Sequence, residues 1–337
     1  MEQVNIVVAA TVWEETVPIG MECFNKIADI SPRLKITDAS QLLAREQKGD
    51  LSAKAELDAL LCDADVLFAL RLPQDILQRA PHLKWMQMMS AGVEMSLNKD
   101  IIESPVIMTN VSGIHVDTIS EYILCMMLMF ARQMPLYFKL QQEKKWERND
   151  PMLLRGKTAG IVGLGNIGRK VARLARCFGM NVIATRRSVT EGTRTHYVDK
   201  LIPRQKLPEL LAESDFVILT LPSTIETTNL IGEKELSLMK STAFIINIAR
   251  GNVIDEEALI RALEEKSIAG AVLDVFNQEP LPAESKLWSL PNVILTPHVA
   301  GSMTDYFSRC TDVFCDNMQR FLAGKRLHYL VNKKRGY

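Results

Sequence analysis

The chain has 337 residues, enough for about two domains of ordinary size. Hydrophobic residues make up 47% and charged residues 24%, values typical of a globular protein that buries a core without disulfides or metal ions. The 40 Lys and Arg balance the 40 Asp and Glu, and this zero net charge argues against a nucleic-acid-binding protein, which normally has a basic excess.

The cysteines and the apolar segments further narrow the class of protein to which the chain can belong. The 6 Cys residues are scattered without a CxxC pair or a zinc-ligand pattern, so the sequence predicts reduced thiols, as in a cytoplasmic protein, and no metal site. The most apolar helix candidate, 122–131, has about half the length that a membrane span requires. The first residues lack the basic flank of a signal peptide, and we expect no membrane association.

Short apolar runs, most of them rich in Val and Ile, recur along the chain and predict strands that are buried on both faces. Segments with helical spacing separate many of these runs, and strands that alternate with helices predict parallel α/β sheets. The predicted strands are, in chain order, 6–10, 66–70, 85–89, 106–108, 159–164, 182–184, 216–221, 244–249, 271–276 and 293–295.

Two doubly wound parallel sheets fit this length better than one very large sheet, so we predict an α/β fold with two domains. A long helix is expected over 117–134, and Pro135 either ends it or opens a second helix. A fresh series of strands begins near residue 157. The segment 301–330 is predicted to be helical and to pack on the first domain, because it has no strand of its own to cover.

The clearest motif is a glycine-rich turn between a strand and an amphipathic helix. It reads Gly163-Leu164-Gly165-Asn166-Ile167-Gly168, a G-x-G-x-x-G pattern in the context that dinucleotide binding requires. The first glycine permits the tight turn, the second lets the backbone approach a pyrophosphate, and the third lets helix and strand pack closely. The free N–H groups at the start of the helix favour the phosphates.

The end of the next strand bears on which dinucleotide binds. An acidic residue there would hydrogen-bond the ribose hydroxyls of NAD, but Arg186 occupies the position, 18 residues after Gly168, and Arg187 follows. Two guanidinium groups suit a 2′-phosphate, because Arg pairs bidentately with phosphate oxygens. The sequence therefore favours NADP(H) over NAD(H), with two solvated arginines as the alternative interpretation.

Three polar residues follow three predicted strands of the second domain. Arg250 follows 244–249, Glu279 comes shortly after 271–276, and His298 comes shortly after 293–295. Carboxyl ends of parallel strands meet at one edge of a sheet, which is also the edge that holds the dinucleotide. An Arg, a carboxylate and a His that converge there form a plausible set for anion binding and proton transfer. His115 is the competing histidine and is predicted to be structural.

The chain resembles the family of D-isomer-specific 2-hydroxyacid dehydrogenases, in particular its glyoxylate/hydroxypyruvate reductase branch. The steps of 29 residues from Arg250 to Glu279 and of 19 more to His298 match the Arg–Glu–His triad of that family. The principal departure is Arg186 in place of the usual Asp. The other motifs that carry the resemblance are Ser90-Ala91-Gly92-Val93-Glu94, the glycine turn, Ile248-Ala249-Arg250-Gly251, Asp274-Val275-Phe276 with Glu279-Pro280, and Leu295-Thr296-Pro297-His298.

The resemblance implies a flavodoxin-like substrate domain and a Rossmann dinucleotide-binding domain inserted into it. We place the substrate domain at 1–104 plus 298–337 and the dinucleotide-binding domain at 105–297. The family further implies an active site in a cleft and a homodimer built largely on the nucleotide domains. In relatives, the segment that contains Trp146 forms a dimer arm, although a merely packed Trp is the commoner case.

In the reductive direction, the C2 carbonyl of a 2-oxo acid would accept a hydride from NADPH. Arg250 would bind the carboxylate and polarise the carbonyl, and protonated His298 would give a proton to the carbonyl oxygen. Glu279 would hydrogen-bond the other ring nitrogen of His298, which fixes the tautomer and favours the protonated ring. The resemblance implies further cofactor contacts at Leu221, Pro222, Thr227, Ile248, Ala249, Arg250, Asp274, His298 and Gly301, in addition to Gly163–Gly168.

Substrate contacts are expected in the first domain. The resemblance implies that backbone N–H groups around Ala91, Gly92 and Val93 bind the carboxylate as a small anion nest. Arg71, just after the strand 66–70, could read a distal group of the substrate or could form a salt bridge at the rim. Two other functions stay open: a relative that oxidises another small anion, and a nucleotide-sensing corepressor with the dehydrogenase fold.

Overall fold

A computed structural model describes residues 3–12, 15–16, 19–187, 189 and 192–336. The strands are β1 (Val4–Ala9), β2 (Thr11–Val12), β3 (Glu15–Thr16), β4 (Leu34–Asp38), β5 (Val66–Ala69), β6 (Trp85–Met88), β7 (Ile107–Thr109), β8 (Thr158–Val162), β9 (Asn181–Arg186), β10 (Lys200–Pro203), β11 (Phe216–Leu219), β12 (Phe244–Asn247), β13 (Gly270–Leu273) and β14 (Val293–Leu295). The helices are α1 (Met21–Ala28), α2 (Ser40–Gln47), α3 (Leu51–Cys62), α4 (Ile76–Arg79), α5 (Lys99–Glu103), α6 (Val116–Ala131), α7 (Met134–Gln142), α8 (Asn166–Cys177), α9 (Leu207–Glu213), α10 (Glu233–Ser237), α11 (Glu256–Glu264) and α12 (Tyr306–Leu322).

The chain divides into two compact units. One comprises Met1–Ile114 with Met303–Tyr337, and the other comprises His115–Ser302. These divisions lie 10 and 5 residues beyond the boundaries expected from the sequence, 104/105 and 297/298. The strand β7 lies in the first unit because it pairs in parallel with β6.

The first unit contains a parallel sheet with the order β4-β1-β5-β6-β7. If only these strands are counted, the order is 2-1-3-4-5, that of the flavodoxin-like sheet. Alternate residues of its strands point to opposite faces. Val7, Leu67 and Met86 lie in one hydrophobic cluster and Ile6, Phe68 and Trp85 in another. Cys310, Phe314 and Met318 of α12 belong to the second cluster, so the C-terminal helix covers that face, as the sequence predicts.

The second unit contains a parallel sheet with the order β10-β9-β8-β11-β12-β13-β14. Counted along the chain, this order is 3-2-1-4-5-6-7, the Rossmann order extended by one strand. Val162, Val217 and Ile245 lie in one cluster, whereas Ile161, Ile218 and Ile246 lie in the other. Both faces of the sheet are therefore covered, and the predicted fold of two parallel-sheet α/β domains is confirmed.

The helical segment before β8 consists of two helices. Pro135 lies in the first turn of α7, where its missing N–H costs nothing, so it opens a second helix after α6. Within the described residues, no single helix has the length and apolar character needed to cross a membrane; α6 and α7, bent by 63° at their junction, meet that test of length and composition only as a pair.

Candidate functional site

The glycine-rich turn connects β8 to α8 in a conformation that requires glycine at two of its positions. Gly163 has a φ of +106°, and a β-carbon there would lie 3.0 Å from the backbone of Thr220. The Thr220 hydroxyl donates to the Gly163 carbonyl over 2.6 Å and ties the turn to the end of β11. A β-carbon on Gly168 would lie 2.4 Å from that same Gly163 carbonyl oxygen, so turn and helix pack too closely for any side chain.

Gly165 differs, because its neighbourhood is open. It precedes the first residue of α8 with an extended backbone, and no atom lies within 4 Å of a β-carbon built on it. A side chain would occupy the space over the helix N-terminus, where unpaired N–H groups attract an anion. Gly163–Gly168 therefore fit the pyrophosphate of a dinucleotide.

The two arginines predicted to bind a 2′-phosphate stand where β9 ends. Arg186 is the last residue of β9, and Arg187 follows it; both are exposed. Arg186 is the register partner of Pro203 in the edge strand β10. The adenosine half of a dinucleotide belongs at this end of the sheet, because β8, β9 and β10 form one mononucleotide-binding half.

The loop after β11 contains the expected cofactor residues Leu221, Pro222 and Thr227. The Thr227 hydroxyl is buried, accepts from the Thr224 N–H over 2.7 Å and donates to the Pro222 carbonyl over 2.8 Å. These two hydrogen bonds stabilise the loop, and they already give the Thr227 hydroxyl two protein partners. The contact of these residues with a cofactor stays a prediction.

His298 and Glu279 are in direct contact. The Nδ1 atom of His298 lies 2.8 Å from Oε2 of Glu279, and Oε1 of the same carboxylate accepts the Phe276 N–H over 3.0 Å. An ionised carboxylate can only accept, so Nδ1 carries the hydrogen and Nε2 is the remaining ring nitrogen. The His298 side chain is 51% exposed, so a small molecule can approach the ring.

The backbone around His298 is held by Asp274. His298 has a φ of +56°, an uncommon value for a residue with a side chain, and its N–H donates to the Asp274 carbonyl over 2.9 Å. The Asp274 carboxylate is buried and accepts from the Thr296 hydroxyl, the Val299 N–H and the Ala300 N–H over 2.6, 2.8 and 2.9 Å. These bonds fix the loop on both sides of His298.

A hydroxyl network extends this support to α6. The Tyr122 hydroxyl lies 2.6 Å from the Thr296 hydroxyl. Because Thr296 donates to Asp274, its oxygen is left to accept from Tyr122. Burial raises the pKa of the Tyr122 phenol to about 12, partly offset by the bond to Thr296, so the tyrosine stays a neutral donor. Sequence reasoning missed Tyr122, because nothing in the sequence of α6 distinguishes this tyrosine from the other polar residues of the helix, Asp117, Thr118, Ser120 and Glu121.

Arg250 follows β12 in a loop that two other residues shape. The buried Asn247 accepts from the Ala249 N–H over 3.0 Å and donates to the Arg250 carbonyl over 2.9 Å. Nη1 of Arg250 donates to the Ala249 carbonyl over 2.7 Å. A β-carbon on Gly251 would lie only 2.0 Å from the carbonyl carbon of Phe276. The glycine therefore lets the Arg250 loop press against the loop that leads to Glu279.

His115 bonds to the backbone, as expected of a structural residue. Its Nδ1 donates to the Gly301 carbonyl over 3.0 Å, and a β-carbon on Gly301 would lie 3.0 Å from the same nitrogen. Burial lowers the pKa of His115; the Gly301 carbonyl opposes that shift and the nearby His298 adds to it. At neutral pH the ring is uncharged.

The candidates in the first unit follow neighbouring strands of its sheet. Arg71 comes shortly after β5, and Ala91–Val93 come after β6. The Asn110 side-chain amide donates to the Ala91 carbonyl and the Ser90 hydroxyl to the Gly92 carbonyl, both over 2.7 Å, which fixes this loop. Among the described residues, no group of three or more His, Cys, Asp or Glu side chains could hold a metal ion.

A doubly wound sheet with a glycine turn at its switch point defines a dinucleotide-binding protein of the Rossmann class. Residues 124–300 match the family model for the NAD binding domain of D-isomer specific 2-hydroxyacid dehydrogenases. The chain is 34% identical over 334 residues to a glyoxylate reductase of Aeropyrum pernix, with 96% of this chain and 95% of the relative covered. A glyoxylate reductase of Korarchaeum cryptofilum is 35% identical over 280 residues, with 81% and 83% covered.

Solved structures agree with this result. An NADPH-dependent glyoxylate/hydroxypyruvate reductase of Sinorhizobium meliloti, in complex with NADP and sulfate, superposes with a TM-score of 0.82 at 26% identity and covers 99% of this chain and 100% of its own. A D-isomer specific 2-hydroxyacid dehydrogenase of Xanthobacter autotrophicus in complex with NADPH and MES gives 0.83 at 28% identity, with the same coverage. The chain belongs to the D-isomer specific 2-hydroxyacid dehydrogenase family and is a hydride-transfer oxidoreductase of 2-hydroxy acids.

Proposed function

We propose that this protein is an NADPH-dependent reductase of small 2-oxo acids of the glyoxylate or hydroxypyruvate type. The hydrogen bond between His298 and Glu279, next to the loop of Arg250, is the observation that carries this proposal. The Aeropyrum pernix relative is named for glyoxylate, and the Sinorhizobium meliloti structure for both substrates and for NADPH. Arg186 and Arg187 at the end of β9 support the preference for the phosphorylated cofactor.

Each residue of the proposed site has a separate role in the reaction. A bound nicotinamide dinucleotide supplies the hydride. Arg250 binds the substrate carboxylate and stabilises the negative charge that develops on the C2 oxygen. His298 gives that oxygen a proton from Nε2, since Nδ1 is committed to Glu279. Glu279 holds the ring in one orientation because its other oxygen is fixed by the Phe276 N–H. Arg71, Ala91, Gly92 and Val93 are the proposed substrate residues of the five-stranded unit.

The substrate assay follows absorbance at 340 nm with NADPH or NADH against a panel of 2-oxo acids. We expect NADPH oxidation with glyoxylate or hydroxypyruvate, and His298→Ala to lower kcat by about 10²-fold or more, since a positioned acid contributes about that much. Retention of most of the wild-type kcat by His298→Ala would exclude this proton path and make His115 the next candidate. NADPH binding without turnover of any 2-oxo acid would favour the nucleotide-sensing alternative.

The role of Glu279 is tested by the steady-state kinetics of the same reaction. Glu279→Gln keeps a hydrogen-bond partner for Nδ1 of His298 but removes the negative charge beside the ring that donates the proton. We expect kcat for reduction to fall while NADPH affinity stays nearly unchanged. An unchanged kcat would show that the carboxylate does not act through the histidine.

Cofactor preference is tested by Arg186→Asp. The carboxylate repels a 2′-phosphate and can accept hydrogen bonds from the ribose hydroxyls of NADH. We expect kcat/KM for NADPH to fall strongly and that for NADH to rise. A wild-type enzyme with equal or better kcat/KM for NADH would refute the preference.

We propose that two copies of the chain associate through the α6–α7 surface. Leu124, Leu128 and Met129 of α6 line an apolar depression, and Trp146, after α7, is 95% exposed. Apolar patches of this kind mark protein contacts. Sedimentation should give the mass of a dimer, and Trp146→Ser should shift the equilibrium towards monomer; a monomeric wild type at micromolar concentration would contradict the proposal.

A further inference from the structure

An ion pair connects two loops that leave well-separated strands. Arg204 directly follows β10, and Glu226 lies in the loop after β11. The Arg204 guanidinium donates to Oε2 of Glu226 over 3.3 Å and also to the Glu226 backbone carbonyl. The strands β9 and β8 lie between β10 and β11, which puts the two strands about 14 Å apart. The Arg204–Glu226 ion pair therefore extends across the ends of β9 and β8.

Those two intervening strands carry the proposed adenosine site. The glycine turn follows β8, and Arg186 ends β9. Pro203 is the register partner of Arg186, so Arg204 begins one residue beyond the level of Arg186 on the neighbouring strand. An arginine side chain can span the roughly 5 Å between adjacent strands. Arg204 and Arg186 can thus contact the same anion.

We propose that Arg204 is a specificity-determining residue for the adenosine 2′-phosphate, which it binds after exchanging its contact with Glu226. This inference rests on the proposed preference for NADP(H). Without a phosphorylated ligand, Glu226 holds Arg204 across the ends of β9 and β8. A 2′-phosphate displaces the carboxylate and takes its place on the guanidinium.

Charge and exposure favour this exchange. A phosphate monoester carries a charge of about −1.5 to −2 and three acceptor oxygens, whereas a carboxylate carries only one charge and two oxygens. The Glu226 side chain is 62% exposed and that of Arg204 is 28% exposed. An ion pair so exposed to water contributes little to stability. Once displaced, the Glu226 carboxylate can rotate towards the solvent. The ribose hydroxyls of NADH are uncharged and cannot displace Glu226.

The test is equilibrium binding to the full-length protein without substrate, measured by calorimetry. The probes are adenosine 2′,5′-bisphosphate and ADP, which differ in whether they carry the 2′-phosphate. Arg204→Gln should weaken binding of the bisphosphate about 10-fold and leave ADP unchanged, because a charge-assisted hydrogen bond is lost. Glu226→Gln should strengthen bisphosphate binding about threefold, since the competing carboxylate is gone.

Arg261→Gln is the matched control. Arg261 forms an exposed ion pair with Glu233 over 3.5 Å in the same unit, and its loss should change neither affinity. The opposite direction expected for Glu226→Gln keeps the inference testable if Arg204→Gln is unstable. Equal bisphosphate binding by wild type and both variants would overturn the role of Arg204, as would an equal loss of both probes in Arg204→Gln. If the wild type itself does not prefer the bisphosphate, the proposed NADP preference fails, and this inference fails with it.

Discussion

Replacing Gly251 with Ala tests how Arg250 is positioned. Gly251 begins the short 3-10 helix Gly251–Val253 directly after Arg250. Its β-carbon would lie 2.0 Å from the carbonyl carbon of Phe276 and 2.4 Å from the amide nitrogen of Asn277. Carbon atoms in contact are normally about 3.5–4.0 Å apart, so one of the two backbones must move by about 1.5 Å.

That movement separates the Arg250 loop from the loop that leads to Glu279. A misplacement of about 1 Å can lower the rate of an enzyme about 10²-fold, which corresponds to about 2.7 kcal/mol of transition-state stabilisation. The crowding itself should cost about 1–3 kcal/mol of the free energy of unfolding. We therefore expect a folded, somewhat less stable protein with kcat/KM lowered about 10²-fold.

The assay is NADPH-dependent reduction of the best 2-oxo acid, with ADP binding as a check on the nucleotide site. Gly232→Ala is the matched control, because Gly232 has a φ of −109° and its β-carbon would have no neighbour closer than 3.6 Å. The control should keep wild-type kcat/KM. If Gly251→Ala also stays within about twofold of wild type, close packing of these loops does not position Arg250 for catalysis.

Four further substitutions test other parts of the seven-stranded unit. Tyr122→Phe removes one buried hydrogen bond to Thr296; it should cost about 1 kcal/mol of the free energy of unfolding, and steady-state kinetics should show a lower kcat with an unchanged KM for NADPH. Gly165→Ala should leave the midpoint of thermal unfolding unchanged yet weaken ADP binding. Gly168→Ala should lower that midpoint, because only a β-carbon at position 168 would collide with backbone. Burial lowers the pKa of His115, so the folded protein binds fewer protons there than the unfolded chain. Stability should therefore fall as the pH drops from about 6.5, the ordinary pKa of histidine, through the lower pKa of the folded state. Thermal unfolding of His115→Gln should show a smaller fall.

The central strands were predictable because burial on both faces leaves continuous apolar runs. Every predicted run overlaps a strand, from β1 to β14. The sequence analysis missed four strands: β2 and β3, which form a separate two-stranded sheet, and β4 and β10, each of which lies at an edge of its parallel sheet. The β4 sequence, Leu-Lys-Ile-Thr-Asp, contains polar residues, and β10, Lys-Leu-Ile-Pro, has only two buried residues. The edge strands β7 and β14 have apolar sequences and were predicted, so it is the lack of a continuous apolar run that hides β4 and β10.

The candidate site was predictable to the level of strand ends. Parallel topology implies that residues after β12, β13 and β14 emerge at one edge, and the contact between Glu279 and His298 agrees with this. The partners of Asp274 could not be predicted in the same way. Its bond with Thr296 spans 22 residues, and the bond of Thr296 with Tyr122 spans 174. The first bond depends on the register of β13 with β14, and the second on how α6 packs on the sheet; one sequence reveals neither.

The precision of the site comes from buried residues rather than from the reactive groups. His298 and Glu279 are partly exposed, and one hydrogen bond between exposed groups cannot fix their position. Asn247 and Asp274 lie at the ends of neighbouring strands, both buried, and the Asp274 N–H donates to the Asn247 carbonyl over 3.1 Å. The His298 N–H in turn donates to the Asp274 carbonyl over 2.9 Å, so one series of backbone bonds runs across β12, β13 and β14. Because the side chains of Asn247 and Asp274 also hold the loops of Arg250 and His298, the proposed anion-binding and proton-donating groups share a single rigid support.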